Sequence, residues 1–338
     1  MPDERGARPV TGLLEAVREG VRRRIAEAAA DTGPAGSEIE QILDRYLARP
    51  AGMVRSTVLE VAARRYGAAG SKAVTELAVA TELLHLFALL HDDAIDGAAP
   101  PRRAVASLRG VGAPEPLLVL AGDLVYAAGF GLLAEAVSRY RLDPAIITDV
   151  RTIAARTVVG QLADLRFLES GPWEDLSFHA LYRLYDVKTG LYTVAAPLVI
   201  GARVAGVDAE EVSRLIEAGT PLGRAYQLRD DLDDLGRLLD ANSAAGASRP
   251  DRLSPPQWEL NLAVTWLAEK ARETGERFHR RSPRDLPADL DMKVLREDVQ
   301  RRLAALGEEA LTLADSLSLP EPGAFIAEMI AVLGLEGN

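Results

Sequence analysis

Leu83-Leu84-His85-Leu86-Phe87-Ala88-Leu89-Leu90-His91-Asp92-Asp93-Ala94-Ile95-Asp96 is an apolar run that ends in carboxylates. A second stretch, Ala225-Tyr226-Gln227-Leu228-Arg229-Asp230-Asp231-Leu232-Asp233-Asp234, repeats the pattern DDxxD. On a helix, Asp92 and Asp96 stand four apart and share a face, as do Asp230 and Asp234. One such cluster alone would read as a solvated helix face. Two of them, each closing an apolar stretch, would not. Like charges gathered on one face are costly unless a cation neutralises them. Donor sets made only of carboxylate oxygen suit magnesium, which often binds through one or two carboxylates plus substrate phosphates. The pair of stretches therefore predicts a magnesium-diphosphate site held between two facing helices.

Outward from these stretches the chain reads as all-α. Alanine, leucine, arginine and glutamate dominate its 338 residues, and all four favour helix or tolerate it well. No period-two alternation marks a sheet. Residues 1–10 read as a disordered tail, and 11–338 as a single domain. Helical patterns run from about Leu13 to Ala30, to Leu47, from Val54 to Tyr66, and from an N-cap at Ser71 to the first aspartates. Others run from about Pro116 to Arg139, Pro144 to Leu168 and Phe178 to Ala195. Asp208 is expected to cap a helix that stops near Gly219, with a separate helix from Leu222 to Leu239. Residues 241–256 read as a loop long enough to be a lid. Two or three further helices follow, with breaks near Pro283 and at Pro320 and Pro322.

Several classes are set aside by composition. There is no cysteine, hence no disulfide framework and no thiolate metal site. The start, Met1-Pro2-Asp3-Glu4-Arg5, has no apolar signal core. Asp123 and Arg203 interrupt the most apolar stretches, so no membrane span is expected and a soluble, cytoplasmic protein is. The net charge of -11 argues against a nucleic-acid partner. It also means that any anionic substrate must be met by local cations and bound metal. Arg102-Arg103, just beyond the first cluster, are placed to clamp a diphosphate, although a surface pair is the plainer reading. Lys188 taken alone reads as a snorkelling side chain, and His85 and His91 as core histidines. No Ser-His or Cys-His arrangement points to a protein nucleophile.

Taken together, Arg55 to Asp234 resembles the trans-isoprenyl diphosphate synthases, the polyprenyl synthetase family. The first signature is carried by Glu82, His85 and His91 to Asp96, followed by Arg102-Arg103. Ala121-Gly122-Asp123, Gly160-Gln161-Leu162-Ala163-Asp164 and Lys188-Thr189-Gly190 resemble the family's intermediate motifs, and Tyr226 to Asp234 its second aspartate-rich one. The resemblance implies a bundle of mostly antiparallel helices around a deep central cavity, usually as a homodimer, acting on isoprenyl diphosphates. It implies about three magnesium ions per active site, with metal ligands among Asp92, Asp93, Asp96, Asp230, Asp231 and Asp234. Arg102, Lys188, Thr189 and Gln227 match the allylic diphosphate site. Arg55, His85 and Arg103 match the site for the acceptor, isopentenyl diphosphate. Asp92, Asp96, Asp230, Lys188 and Arg102 would carry catalysis. Phe87 and Ala88, five and four residues before the first aspartate, match positions that floor the hydrocarbon cavity and point to products of about C15 to C20. Phe87 also reads as an ordinary core residue packed on a neighbouring helix.

The chain departs from the family pattern on the acceptor side. Where the family has a lysine and an arginine, this sequence has Gly52 and Met53, and only Arg55 survives. Two readings follow: a short-chain synthase with a weakened acceptor clamp, or a relative that ionises an allylic diphosphate and then uses another acceptor or cyclises the chain. The asparagine-serine-glutamate motif of cyclases is missing, which favours the synthase.

Overall fold

The computed structural model describes residues 9–30, 33–47, 53–95, 115–167, 176–244, 261–275 and 290–336. Among them all regular structure is helical, as the composition predicts. In chain order the helices are α1 (Pro9–Ala29), α2 (Pro34–Leu47), α3 (Val54–Arg65), α4 (Lys72–Ile95), α5 (Glu115–Tyr140), α6 (Ala145–Arg166) and α7 (Phe178–Tyr185). A π-helical segment, Asp186–Ala195, comes next, and then α8 (Ala196–Val204), α9 (Ala209–Ala244), α10 (Asn261–Thr274), α11 (Met292–Ala314) and α12 (Pro322–Val332). The chain divides into two compact units. Unit 1 comprises Met1–Val150 and Pro197–Val212, and unit 2 comprises Arg151–Ala196 and Ser213–Asn338. Helix α1 starts at Pro9, inside the stretch read as a tail, and the rest of that tail lies outside the described residues.

In unit 1, α4 is the central rod. The Ser71 hydroxyl accepts the Val74 N–H at 3.2 Å, the cap that the sequence predicts. Leu77, Leu83 and Leu90 are fully buried, and the core continues through Val17, Leu43, Leu59, Val125 and Leu133. Helix α5 runs antiparallel to α4. Arg139, near its end, donates to Glu76 near the start of α4 at 2.6 Å, and Tyr140 donates to the same carboxylate at 2.8 Å. At the other end, a Cβ on Gly122 would lie 2.4 Å from the His91 ring, so a larger residue there would force the imidazole to move. Both α4 and α5 are long and apolar enough to cross a membrane, which corrects the expectation that no run would reach that length. In α4, 61% of the most apolar window is buried in the protein, against 39% in α5. Helix α4 thus commits its apolar surface to the core, whereas α5 leaves much of its own uncovered.

Unit 2 is built around Tyr185, Leu181, Leu228, Leu262 and Leu295. The Ser177 hydroxyl caps α7 by accepting the Ala180 N–H at 3.3 Å. Glu269 accepts the Phe178 N–H at 2.8 Å and a guanidinium N–H of Arg302 at 3.0 Å. Arg302 also stacks on the Phe178 ring, 3.5 Å from its centroid. The helix expected from Phe178 to Ala195 exists as one rod, but its second half has the wider turns of a π-helix. Wide turns of this kind are rare and concentrate at functional sites. The break expected near Gly219 does not occur. Helix α9 runs from Ala209 to Ala244 with Pro221 inside it, because Ala218 and Leu222, on either side, are fully buried and their packing outweighs the local cost of proline. Asp208 does cap this helix, accepting the Glu211 N–H at 2.8 Å. The first part of the expected lid belongs to α9, and residues 245–260 lie outside the described residues.

Candidate functional site

Unit 1 brings together Arg55 and His85. Arg55 is in the first turn of α3 and is buried, with its Nη1 3.1 Å from His85 Nε2 on α4. Glu82, one turn before His85, fixes this approach: its Oε1 accepts the Ser56 N–H at 3.0 Å, so a carboxylate from α4 caps the start of α3. Burial pushes the Glu82 carboxyl above its ordinary value, and the Arg55 charge and the Ser56 bond pull it back. The residue that opens α3 is Met53, held in the left-handed region at φ 42° and ψ 45°. Its carbonyl accepts the hydroxyls of Ser56 and Thr57 at 2.9 and 3.0 Å, and its side chain is buried in the apolar core.

His85, Ala88 and Asp92 fall at i, i+3 and i+7 on one face of α4 and are half-buried. Asp93 points elsewhere and accepts the Tyr46 hydroxyl. Phe87 faces α5: its ring lies 4.9 Å from that of Tyr126 and 4.4 Å from that of His91, and Tyr126 in turn packs 4.8 Å from Phe130. Asp96, Arg102, Arg103 and Gly52 lie outside the described residues.

Unit 2 gathers the remaining candidates into one polar network. Lys188 Nζ donates to Asp164 Oδ2 in a close ion pair, and Asp164 is 4% exposed. The other oxygen of Asp164 accepts Asn261 Nδ2 at 2.8 Å. Asp231 accepts the Tyr185 hydroxyl on Oδ2 at 2.6 Å and Gln227 Nε2 on Oδ1 at 2.6 Å. Thr189 is buried within the π segment. Asp230 is half-buried on α9, and Asp234 pairs with Arg237. Two close approaches set this geometry. A Cβ on Gly160 would lie 2.7 Å from the Lys188 nitrogen, and one on Gly223 would lie 2.6 Å from Gly190 Cα. Burial pushes the Asp231 carboxyl up to about 7, against the opposing pull of Lys188 and the Tyr185 bond. The Tyr185 hydroxyl is itself driven well above its ordinary value by burial and by Asp231. Tyr185 and Asn261 were not singled out from the sequence. Tyr185 precedes Lys188 by less than one turn, whereas Asn261 is 97 positions from its partner and carries no local signal beyond a polar residue opening an apolar run.

Among the described residues, no three acidic or histidine side chains converge so that they alone could hold a metal. The donors are nevertheless hard carboxylate oxygens, suited to a magnesium ion that is shared with substrate phosphates.

Residues 37–238 match the family model described as polyprenyl synthetase. The geranylgeranyl diphosphate synthase of Rhodobacter capsulatus is 34% identical over 185 residues, 54% of this chain and 59% of that protein. That of Cereibacter sphaeroides is 31% identical over 231 residues, 68% of this chain and 75% of that protein. The farnesyl diphosphate synthase of Geobacillus stearothermophilus is 30% identical over 170 residues, covering 47% and 54%. The chain spans about half the length of most of the curated relatives it matches. Its fold is similar to that of a decaprenyl diphosphate synthase from Rhodobacter capsulatus, with TM-score 0.66, 20% identity and 97% of both chains covered. It is also similar to a heptaprenyl diphosphate synthase from Staphylococcus aureus, with TM-score 0.68, 18% identity and 96% and 99% covered. At these identities the likeness is one of fold.

The raised Asp231 carboxyl has a measurable consequence for the metal-free protein. An aspartate that titrates near 4 when unfolded and at about 7 when folded makes the folded state lose stability as pH rises through that window. The loss is complete above it and amounts to at most about 4 kcal/mol. Asparagine cannot ionise. In EDTA, Asp231→Asn is expected to raise the thermal midpoint by several degrees at pH 8, with the gain shrinking toward pH 4. A midpoint difference independent of pH would refute the assignment.

Proposed function

The chain belongs to the polyprenyl synthetase family, and from this premise we propose that it is a magnesium-dependent prenyltransferase. It joins an allylic diphosphate to isopentenyl diphosphate and releases a trans-prenyl diphosphate of about C15 to C20. The observation that carries the reading is that the matched span, residues 37–238, contains both aspartate clusters, the Arg55–His85 pair and the Lys188–Asp164 pair.

Asp92, Asp96 and Asp230 are the residues that would hold magnesium. Asp93, Asp231 and Asp234 are expected to contribute less directly, since Tyr46, Tyr185 with Gln227, and Arg237 already engage them. When bound, magnesium supplies positive charge against the negative charge that builds on a departing diphosphate. Lys188 and Arg102 add charge-assisted hydrogen bonds to the same group, and Thr189 and Gln227 help to hold it. Arg55, His85 and Arg103 bind the acceptor's diphosphate. As the allylic C–O bond breaks, the carbocation must be kept from water, and the apolar side chains of α4 line its path. The acceptor's double bond attacks the cation, and the new cation loses a proton to the departing diphosphate. No protein nucleophile is required.

A second reading rests on Met53. Its side chain is buried in the apolar core at the position where the family carries an arginine, and Gly52 stands where it carries a lysine. An acceptor without a diphosphate, or cyclisation of the chain itself, would make no use of either cation.

One assay separates the readings. Purified protein is incubated with geranyl, farnesyl or geranylgeranyl diphosphate, with and without isopentenyl diphosphate. Chain extension is expected. Hydrocarbon or alcohol from the allylic substrate alone would replace the synthase reading with the second one. In the same assay Asp92→Ala and Asp230→Ala should each cut turnover by at least about a hundredfold, the loss expected when several kcal/mol of charge stabilisation goes. Full activity in the double variant would refute the metal assignment.

Product length follows from the aromatic cluster. Five helical residues span about 7.5 Å, so Phe87, braced by Tyr126, stops a chain that enters from Asp92 after a few methylenes. Phe87→Ala should lengthen the products, as read by chromatography of the dephosphorylated alcohols. An unchanged distribution would place the floor elsewhere.

Each unit also leaves large apolar side chains uncovered: Val119, Leu120 and Tyr126 in unit 1, and Val158, Val159 and Leu162 in unit 2. We assign these faces to a second copy of the chain, which gives a soluble homodimer without membrane insertion. Light scattering in detergent-free buffer should return twice the 36.3 kDa of one chain. A monodisperse monomer, or recovery only with detergent, would contradict this.

A further inference from the structure

Asn261 opens α10, beyond the span that matches the family model, and is 1% exposed. Its Nδ2 donates to Asp164 Oδ1 at 2.8 Å, while Asp164 Oδ2 receives Lys188. The amide orientation follows from chemistry. If the group were turned over, its oxygen would face a carboxylate oxygen, acceptor against acceptor. In the orientation present, Asn261 Oδ1 is buried with no partner among the described residues. An orphaned buried carbonyl destabilises a fold, and an apolar residue would avoid it. Packing therefore does not explain an asparagine here, whereas the bond to Asp164 does.

We infer that Asn261 is a positioning residue for Lys188, acting through Asp164. A carboxylate with one donor can rotate and offer both oxygens to an ammonium. With Asn261 on Oδ1, Asp164 presents a single oxygen to Lys188. The ammonium is then held by one of its three N–H groups, and the other two stay directed away from Asp164. Asp231, the other carboxylate within electrostatic reach of Lys188, has its two oxygens taken by Tyr185 and Gln227. The inference rests on the proposed role of Lys188 in binding diphosphate, and the ligand whose binding it controls is that group.

The test is calorimetric titration of inorganic pyrophosphate into the full chain in magnesium buffer, below the thermal midpoint of every variant. Asn261→Leu should bind about tenfold more weakly than wild type, the effect of losing one hydrogen bond to a charged group. Asn261→Ser keeps a donor and should recover most of that loss. Asn261→Asp sets a second carboxylate against Asp164 and should be the weakest. Thr265→Val, one turn further along the same helix, removes a buried hydroxyl with no hydrogen-bond partner among the described residues and should bind as wild type does. If Asn261→Leu does not fold, the ordering of the serine variant above the aspartate variant carries the comparison. Wild-type affinity in Asn261→Leu, no advantage of serine over aspartate, or an equal loss in Thr265→Val would overturn the inference. Failure of the wild type itself to bind magnesium pyrophosphate would instead overturn the proposed site, and the inference with it.

Discussion

An ammonium group inside a protein needs a carboxylate, and that carboxylate needs donors of its own. Lys188 and Asp164 meet this requirement in a largely enclosed setting, and much of unit 2 is arranged around them. Desolvating two charges costs several kcal/mol per ion unless good geometry and further hydrogen bonds offset it. The geometry comes from Gly160 and Gly223, which allow helix backbones to approach more closely than any side chain would permit. The further hydrogen bond comes from Asn261. Beside this pair, Tyr185 and Gln227 occupy both oxygens of Asp231, so the second carboxylate does not compete freely for the lysine. Removal of one member would leave a buried charge partly uncompensated, which is more damaging than never having had the pair.

Unit 1 solves a different problem. Arg55 must be presented at the start of a helix, where backbone N–H groups are unsatisfied. Glu82 satisfies one of them from α4 and places a negative charge beside the guanidinium. The turn before it bends through a left-handed methionine, a conformation that disfavours most side chains. That strain is held by the two hydroxyls that bond the Met53 carbonyl and by burial of its side chain. The start of α3 is thus held from both its backbone and its neighbouring helix.

Much of this was legible in the sequence because it is local. Helix periodicity, the Ser71 and Asp208 caps and the spacing of Asp230 and Asp234 depend on neighbours within a turn or two, and the structure places them where the pattern did. The stop expected near Gly219 does not occur because the penalty of Pro221 is local while the burial of Ala218 and Leu222 that overrides it is tertiary. The π segment escaped notice because its residues are acceptable in an α-helix. Phe87 packs on Tyr126, in line with its plainer reading, and the sequence alone could not have named that partner. Arg55 and His85 lie 30 apart and were joined only by the family resemblance. Asn261 was out of reach, because nothing in its surroundings announces a partner in α6.

The wide turns at Asp186–Ala195 also bear on how such a chain can change over time. A π-helical stretch is what an α-helix becomes when it absorbs an extra residue without shifting its ends. Losing one residue there would restore ordinary turns and leave the hydrophobic face of α8 in register. It would, however, re-register the residues within the segment against those ends, carrying Lys188 away from Asp164. A deletion that a surface loop would absorb silently is therefore closed to this helix, and the length of the segment is inherited along with its lysine.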